Sequence, residues 1–323
     1  MAVNRALTRL CLAALALPLA ASGPVEAGRT EVRLALTARQ LPESNFRHTV
    51  EQSMALPFES YQIQGALIRG GSPRAILYAL IEASESIARK GVVSSATGQA
   101  QIAIRGVRRT LSTADFDLPP AQWRAWFRSL ALARFNRVRF ILPPAAGSVR
   151  EFLQLATELA DQYAMDISIQ PDSSALDDLP ELLRISPTIR AVHAAAAQSP
   201  AASKAAAGAG RYVVVETGPG VTVASAVPSR VLAPWKPGAP RPCLAGCELV
   251  WLMGDEVAPT VALLDTSATG FEIDHTRLQA WSGFGYAIKE GAPAPAKVRR
   301  ATSRKKKAAT STRKKKTITP KKR

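Results

Sequence analysis

IAIRGVRRT (102–110), PPAQWRAWFRSLALARFNRVRFIL (119–142) and SVREFLQLATELADQYAMDISIQP (148–171) belong to one stretch whose hydrophobic period switches back and forth. Ile102 to Val107 reads as an apolar strand. Pro119 and Pro120 break the chain, and Trp123, Trp126, Phe127, Leu130 and Phe135 then follow a helical spacing. Val138 to Leu142 is a second strand. Ser148, with Glu151 three residues on, has the pattern of a capping box opening a helix. That helix sets Phe152, Leu155, Ala156, Leu159, Ala160 and Tyr163 on one face. A third strand, Met165 to Gln170, stops at Pro171. Strand, helix, strand, helix, strand in this order describes parallel βα units, which carry their sites at the C-terminal ends of the strands.

Working outward, 323 residues allow two domains, and 47% hydrophobic with 21% charged residues supports a sizeable core. The formal net charge of +17 is unevenly placed. Fourteen Lys and Arg with no Asp or Glu fall between residues 297 and 323, so the remainder carries only +3. At the other end, Arg5 and Arg9 precede an apolar run from Leu10 to Ala21, the pattern of an export signal and too short to span a bilayer. Val25-Glu26-Ala27 is a candidate cleavage site and Ala20-Ala21-Ser22 another, so residues 1–27 are expected to be a signal peptide.

Residues 28–103 read as a small α/β domain. Thr30 to Thr37 and Tyr61 to Ile68 are strand candidates. Ser72 is placed to cap a helix begun by Pro73, with an apolar face from Ile76, Leu77, Leu80, Ile81, Ala83, Ile87 and Ala88. Glu82 and Glu85 are expected away from its centre. Beyond Gln170, a helix is expected at 175–185 and a strand from Ile189 to His193. Residues 194–210, rich in Ala, Gly and Ser, read as a linker. Arg211 to Glu216 and Val221 to Ala226 flank Thr217-Gly218-Pro219-Gly220 as a hairpin would. Pro228 to Pro242 reads as loop and Cys247 to Met253 as a buried strand.

Two segments resemble the secreted β-N-acetylhexosaminidases and α-glucuronidases. Arg105-Gly106-Val107 and Leu132-Ala133-Arg134-Phe135-Asn136 match the first βα unit of that group's (β/α)8 barrel. Upstream, Ile76-Leu77-Tyr78-Ala79-Leu80-Ile81-Glu82 is similar to the helix of the accessory domain preceding the barrel, with Ala79 where Gly is usual. The resemblance implies an α/β protein: an accessory domain, then a barrel-like domain over 104–290. A full barrel takes about 250 residues, so the barrel is expected to be incomplete.

A third segment, Trp251-Leu252-Met253-Gly254-Asp255-Glu256-Val257, resembles the hexosaminidase motif H-x-G-G-D-E-V, which follows the fourth barrel strand in that family. The resemblance implies that Glu256 protonates the glycosidic oxygen, that Asp255 orients the substrate's own acetamido group, and that Trp251 contacts substrate. Trp251 stands where the motif has His, and Met253 replaces its first Gly. The Asp-Glu pair also fits an ordinary helix start, with acids near the dipole, so a glycosidase and a barrel that has lost catalysis both remain open.

Cys243 and Cys247 are read either as a small loop disulfide, which an exported chain could form, or as free thiols. His48, His193 and His275 show no metal spacing, and neither metal nor other cofactor is expected. Residues 291–323 are expected to be a disordered tail. Within it, Arg304-Lys305-Lys306-Lys307 and Arg313-Lys314-Lys315-Lys316 have the composition to bind anionic polymers or lipid headgroups without specific nucleic-acid recognition. The expected partners are therefore a glycan for the barrel and a polyanion for the tail. A non-enzymatic envelope or matrix protein that works through that tail is the alternative to a glycosidase. In either case the chain is expected in the cell envelope or outside the cell.

Overall fold

In the computed structural model, the described residues are 23–144, 148–195, 199–218, 230–236, 238, 242, 247–266 and 268–291. The expected strand at Thr30–Thr37 is a helix, α1 (Pro24–Ala38). Its buried positions, Ala27, Gly28, Glu31, Val32, Ala35 and Leu36, recur at helical spacing, which overrides the short alternation read from the sequence. Gly28 allows close packing on the next helix, since a Cβ there would lie 2.7 Å from Leu80 Cβ.

Strands β1 (Thr49–Gln52), β2 (Ser60–Gln64) and β3 (Leu67–Gly70) follow. The single strand expected from Tyr61 to Ile68 is a hairpin, turned at Gly65 with φ +60. Helix α2 (Pro73–Lys90) begins as expected, Ser72 Oγ accepting from Ala75 N at 3.2 Å, and ends at Gly91 in the left-handed region. It is buried nearly all round. Glu82 is buried too, against expectation, and faces Arg134 across 3.6 Å. After β4 (Ala96–Ala100) the chain enters the barrel.

The barrel strands are β5 (Ile104–Thr110), β6 (Arg137–Ile141), β7 (Asp166–Gln170), β8 (Ile189–Ala195), β9 (Tyr212–Glu216), β10 (Arg230–Pro234), β11 (Glu248–Leu252) and β12 (Gly270–Asp274). All eight pair in parallel and close on themselves. The α/β class and the barrel hold, but the expectation of missing strands is corrected. Among the described residues, the helices of the barrel lie in its first half. Helices α3 (Thr113–Phe116), α4 (Pro120–Leu132), α5 (Val149–Gln162), α6 (Leu179–Arg184) and α7 (Ser199–Gly208) all lie before β9. After β9, the described connections hold only 3-10 turns, at Val261–Leu263 and His275–Arg277. Short connections fit eight strands into a short chain.

Several local expectations change with the barrel. Within the expected linker at 194–210, the described residues include the end of β8 and helix α7, whose Ala202 and Ala206 are buried one turn apart; Ala is the strongest helix former. Strand β9 is paired in parallel on both edges, so no edge is left for the expected hairpin; residues 221–226 lie outside the described residues. Part of the expected Pro-rich loop is β10. Ser148 makes no capping hydrogen bond.

Strand β13 (Tyr286–Glu290) returns to pair antiparallel with β4, giving a five-stranded sheet in the order β1-β3-β2-β4-β13. Between sheet and barrel lies a buried polar junction. Glu59 accepts from Arg74 at 2.7 Å, from Arg105 at 2.5 Å and from Asn136 at 2.8 Å. Arg105 also donates to the carbonyls of Arg134 and Ile102, and Asn136 Oδ1 accepts from Arg105 N at 2.9 Å. Tyr78 donates to Phe135 O and Tyr286 to Glu59 O, each at 2.9 Å. Burial works to raise the Glu59 pKa, but Arg105 and Arg74 outweigh it and hold the carboxyl below its ordinary value. The Arg-Gly strand and the Arg-Phe-Asn helix end therefore join the two layers. No helix among the described residues is long and apolar enough to cross a membrane.

Candidate functional site in the barrel lumen

Barrel strands direct alternate residues inward. Ile104, Ala191, Val214, Leu232 and Val250, from five different strands, form a cluster separate from the main core, which marks the inward face. Beneath it, at the first residues of their strands, Arg137 donates to Tyr212 OH at 2.9 Å, and Glu248 pairs with Arg137 and Arg230 at 3.5 and 3.1 Å. This charged ring fills the base of the lumen.

Towards the C-terminal mouth a second polar group is centred on Arg139 of β6. Its guanidinium pairs with Glu272 of β12 at 2.6 Å and with Glu216 at the end of β9. It also donates to Gln170 Oε1 at 3.0 Å and lies 3.5 Å from His193 Nδ1 on β8. Gln170 Nε2 donates to Glu216 at 3.3 Å. One side chain meeting strands this far apart must point through the lumen. Arg139 and Glu272 are 1% and 2% exposed, whereas Glu216 is 28% exposed. Gly106 makes room for the pair, since a Cβ there would sit 3.3 Å from Glu272 Cγ. Arg108 and Asp274, 3.5 Å apart, lie further up the same strands.

Burial lowers the Arg139 pKa, Glu272 raises it again, and nearby Arg108 lowers it. Burial, then Arg139 and Arg137, hold His193 well below its ordinary pKa, so its ring is neutral at pH 7. A guanidinium only donates, so His193 Nδ1 accepts and the proton sits on Nε2, assigned from the hydrogen-bond pattern. That Nε2 has no hydrogen-bond partner among the described residues. A buried, unpaired donor beside partly exposed carboxylate and amide groups can bind an acceptor atom of a polar ligand. Glu272 is buried opposite the Arg139 guanidinium.

Asp255 and Glu256 are elsewhere. They occupy a turn after β11, both exposed, at the mouth end of the barrel. The turn's backbone is held by Arg277, which donates to the carbonyls of Asp255, Gly254 and Val257. Strand β11 is the seventh of the barrel, whereas the motif follows the fourth strand in the family it resembles. Trp251 lies on the outer side of β11. Strand alternation sets it opposite Val250, in the outer core at 4% exposure and away from the lumen. Cys247 is disulfide-bonded, while Cys243 lies outside the described residues. The tail cations Arg304 to Lys307 and Arg313 to Lys316 also lie outside them. Among the described residues, no group of three His, Cys, Asp or Glu could hold a metal ion.

No protein-family profile matches the chain, and no curated protein matches it. Solved structures do. One is a GH20 exo-β-N-acetylglucosaminidase from Vibrio harveyi in complex with N-acetylglucosamine, at TM-score 0.54 and 10% identity over 78% of this chain and 64% of that one. Another is a Flavobacterium johnsoniae chitobiase, at TM-score 0.54 and 13% identity over 78% of this chain and 60% of that one. The chain shares its fold with these two enzymes. It spans less than two thirds of either enzyme's length.

The fourth strand is β8, and the chain there reads His193-Ala194-Ala195-Ala196-Ala197-Gln198. Set against H-x-G-G-D-E, His193 coincides with the motif's His, while Ala197 and Gln198 stand at the Asp and Glu positions. Residues 196–198 lie outside the described residues. A strand count would have found this alignment. The Asp-Glu-Val identity at 255–257 drew the sequence reading to the seventh strand instead.

Proposed function

We propose that the protein binds carbohydrate on its glycoside-hydrolase-like barrel without hydrolysing N-acetylhexosaminides by the substrate-assisted route. The observation that carries this reading is the sequence that follows the fourth strand, which has Ala197 and Gln198 where the motif has its clamp and acid. Neither residue supplies a carboxyl group, and a general acid has to donate a proton in the transition state. The exposed pair after the seventh strand lacks the enclosure that such an acid uses. Sugar binding is supported by the fold and by polar groups near the mouth: His193 Nε2, Gln170, Glu216, Arg108 and Asp274. Export belongs to the same reading, supported by the N-terminal apolar run and by the Cys247 disulfide.

Fluorogenic β-N-acetylglucosaminides and α-glucuronides, offered to the full chain, are expected to give no turnover. Glycan binding measured by calorimetry should survive Glu256→Gln and weaken in His193→Ala. Turnover abolished by Glu256→Gln would overturn the reading and restore Asp255 and Glu256 as the catalytic pair.

A further inference from the structure

Helix α1 bears on where the N-terminal leader is removed, an inference that rests on the reading that the chain is exported. Two small-residue triplets precede candidate cleavage points, Ala20-Ala21-Ser22 and Val25-Glu26-Ala27. Leader cleavage precedes folding, so accessibility in the folded chain does not choose between them. The products differ in which residues the mature fold retains.

Residues 23–27 are working parts of α1. Gly23 has extended backbone, and its carbonyl accepts from Glu26 N at 2.9 Å and Ala27 N at 3.1 Å, which opens the helix. Pro24 fills the first turn, where its missing N–H costs nothing. Glu26 places an acid near the positive end of the helix dipole, and its carbonyl accepts from Thr30 Oγ1 at 2.9 Å. Ala27 is buried, and Val25 packs against the same core. Gly23, by contrast, is exposed, with open space around it.

A cut after Ala27 would remove that first turn and leave Gly28, which packs on Leu80, as a charged terminus followed by Arg29. Two positive groups would then sit at the positive end of the helix. A cut after Ser22 keeps the whole of α1 and puts the new amine outside its first turn. We propose that the leader is cleaved between Ser22 and Gly23, so that the mature chain begins at Gly23.

The test is to express the chain from Met1 in a secreting bacterial host and determine the first residue of the exported protein by N-terminal sequencing and intact mass. Gly23 is expected. Gly28 would overturn the cleavage assignment while leaving export intact. A chain kept in the cytosol with Met1 in place would overturn export and this inference together. Purified 23–323 is also expected to melt about 2–8 °C above 28–323. Equal melting temperatures would remove the structural ground for the assignment.

Discussion

Arg139 balances two carboxylates on different strands inside the barrel, so its loss leaves Glu272 buried without a counter-charge. Breaking a buried pair from one side costs about 3–5 kcal/mol, more than the pair is worth against an apolar replacement. Urea unfolding of Arg139→Met should show a loss of that size, and Arg139→Met with Glu272→Met should recover most of it. If the double variant is no better than the single one, Glu272 is not the partner that matters. Glu59 makes a pH-dependent contribution. Arg105 and Arg74 hold its folded-state pKa below the ordinary value despite burial. Its stabilising effect is therefore complete above the unfolded value of about 4.3 and is lost as pH falls through the lower folded value. Glu59→Gln should melt lower than the parent at pH 7, with the gap narrowing towards pH 3; a constant gap would assign Glu59 a pH-independent packing role. The lumen cluster was hard to read from sequence for a physical reason. Arg137-Val138-Arg139-Phe140-Ile141 alternates as a half-exposed strand does, and nothing local shows that its polar face lines a closed lumen while Val138 and Phe140 face the helices.

At the scale of elements, the first half of the barrel was legible because each strand is followed by a helix with a strong apolar face. Strands β6 and β7 and helix α5 fall within a residue or so of where the periodicity puts them. In the second half, β9 and β11 coincide with the strands read at Arg211 to Glu216 and Cys247 to Met253, whereas β10 and β12 were not legible, because β10 runs into Pro234 and β12 is a five-residue segment, Gly270-Phe271-Glu272-Ile273-Asp274, with no helix to set it off. The Asp-Glu-Val identity after β11, and not the order of the strands, carried the resemblance to the motif there. That turn is anchored by Arg277 through backbone carbonyls and not through the Asp255 or Glu256 side chains. Asp255→Asn and Glu256→Gln should each leave stability within about 0.5 kcal/mol of the parent, as exposed substitutions do. Arg277→Ala should loosen the turn, seen as faster amide exchange at residues 254–257. A larger loss of stability from Glu256→Gln than from Arg277→Ala would reverse that assignment.

On the scale of the whole molecule, the accessory sheet is assembled from two distant parts of the chain. Its edge strand β13 arrives only after the barrel has closed, and Tyr286 ties that strand to Glu59 in the buried junction. Tyr286 also stacks on Tyr61 and meets Tyr78 edge-on, and Glu290 pairs with Lys90 at 2.7 Å and Arg89 at 3.0 Å at the end of α2. The exposed Glu290 pairs contribute little, whereas the Tyr286 ring and hydroxyl sit in the core. Two truncations a few residues apart should therefore behave differently. A chain ending at Gly291 keeps β13 and loses only the cationic segment, so its thermal midpoint should match the full chain. A chain ending at Gly285 exposes the edge of β4, strips the covering from Tyr61 and Tyr78 and leaves Glu59 O without its donor. It should melt well below both and expose apolar surface to a dye such as ANS. Polyanion binding should divide the other way. Heparin affinity that falls steeply with salt should belong to the full chain and be absent from both truncations, since the fourteen cations between 297 and 323 supply the charge. If the chain ending at Gly291 still bound heparin as tightly as the full chain, the binding surface would have to be sought on the folded body. Tyr286→Phe separates the hydroxyl from the ring and should account for only a small part of the loss caused by ending at Gly285.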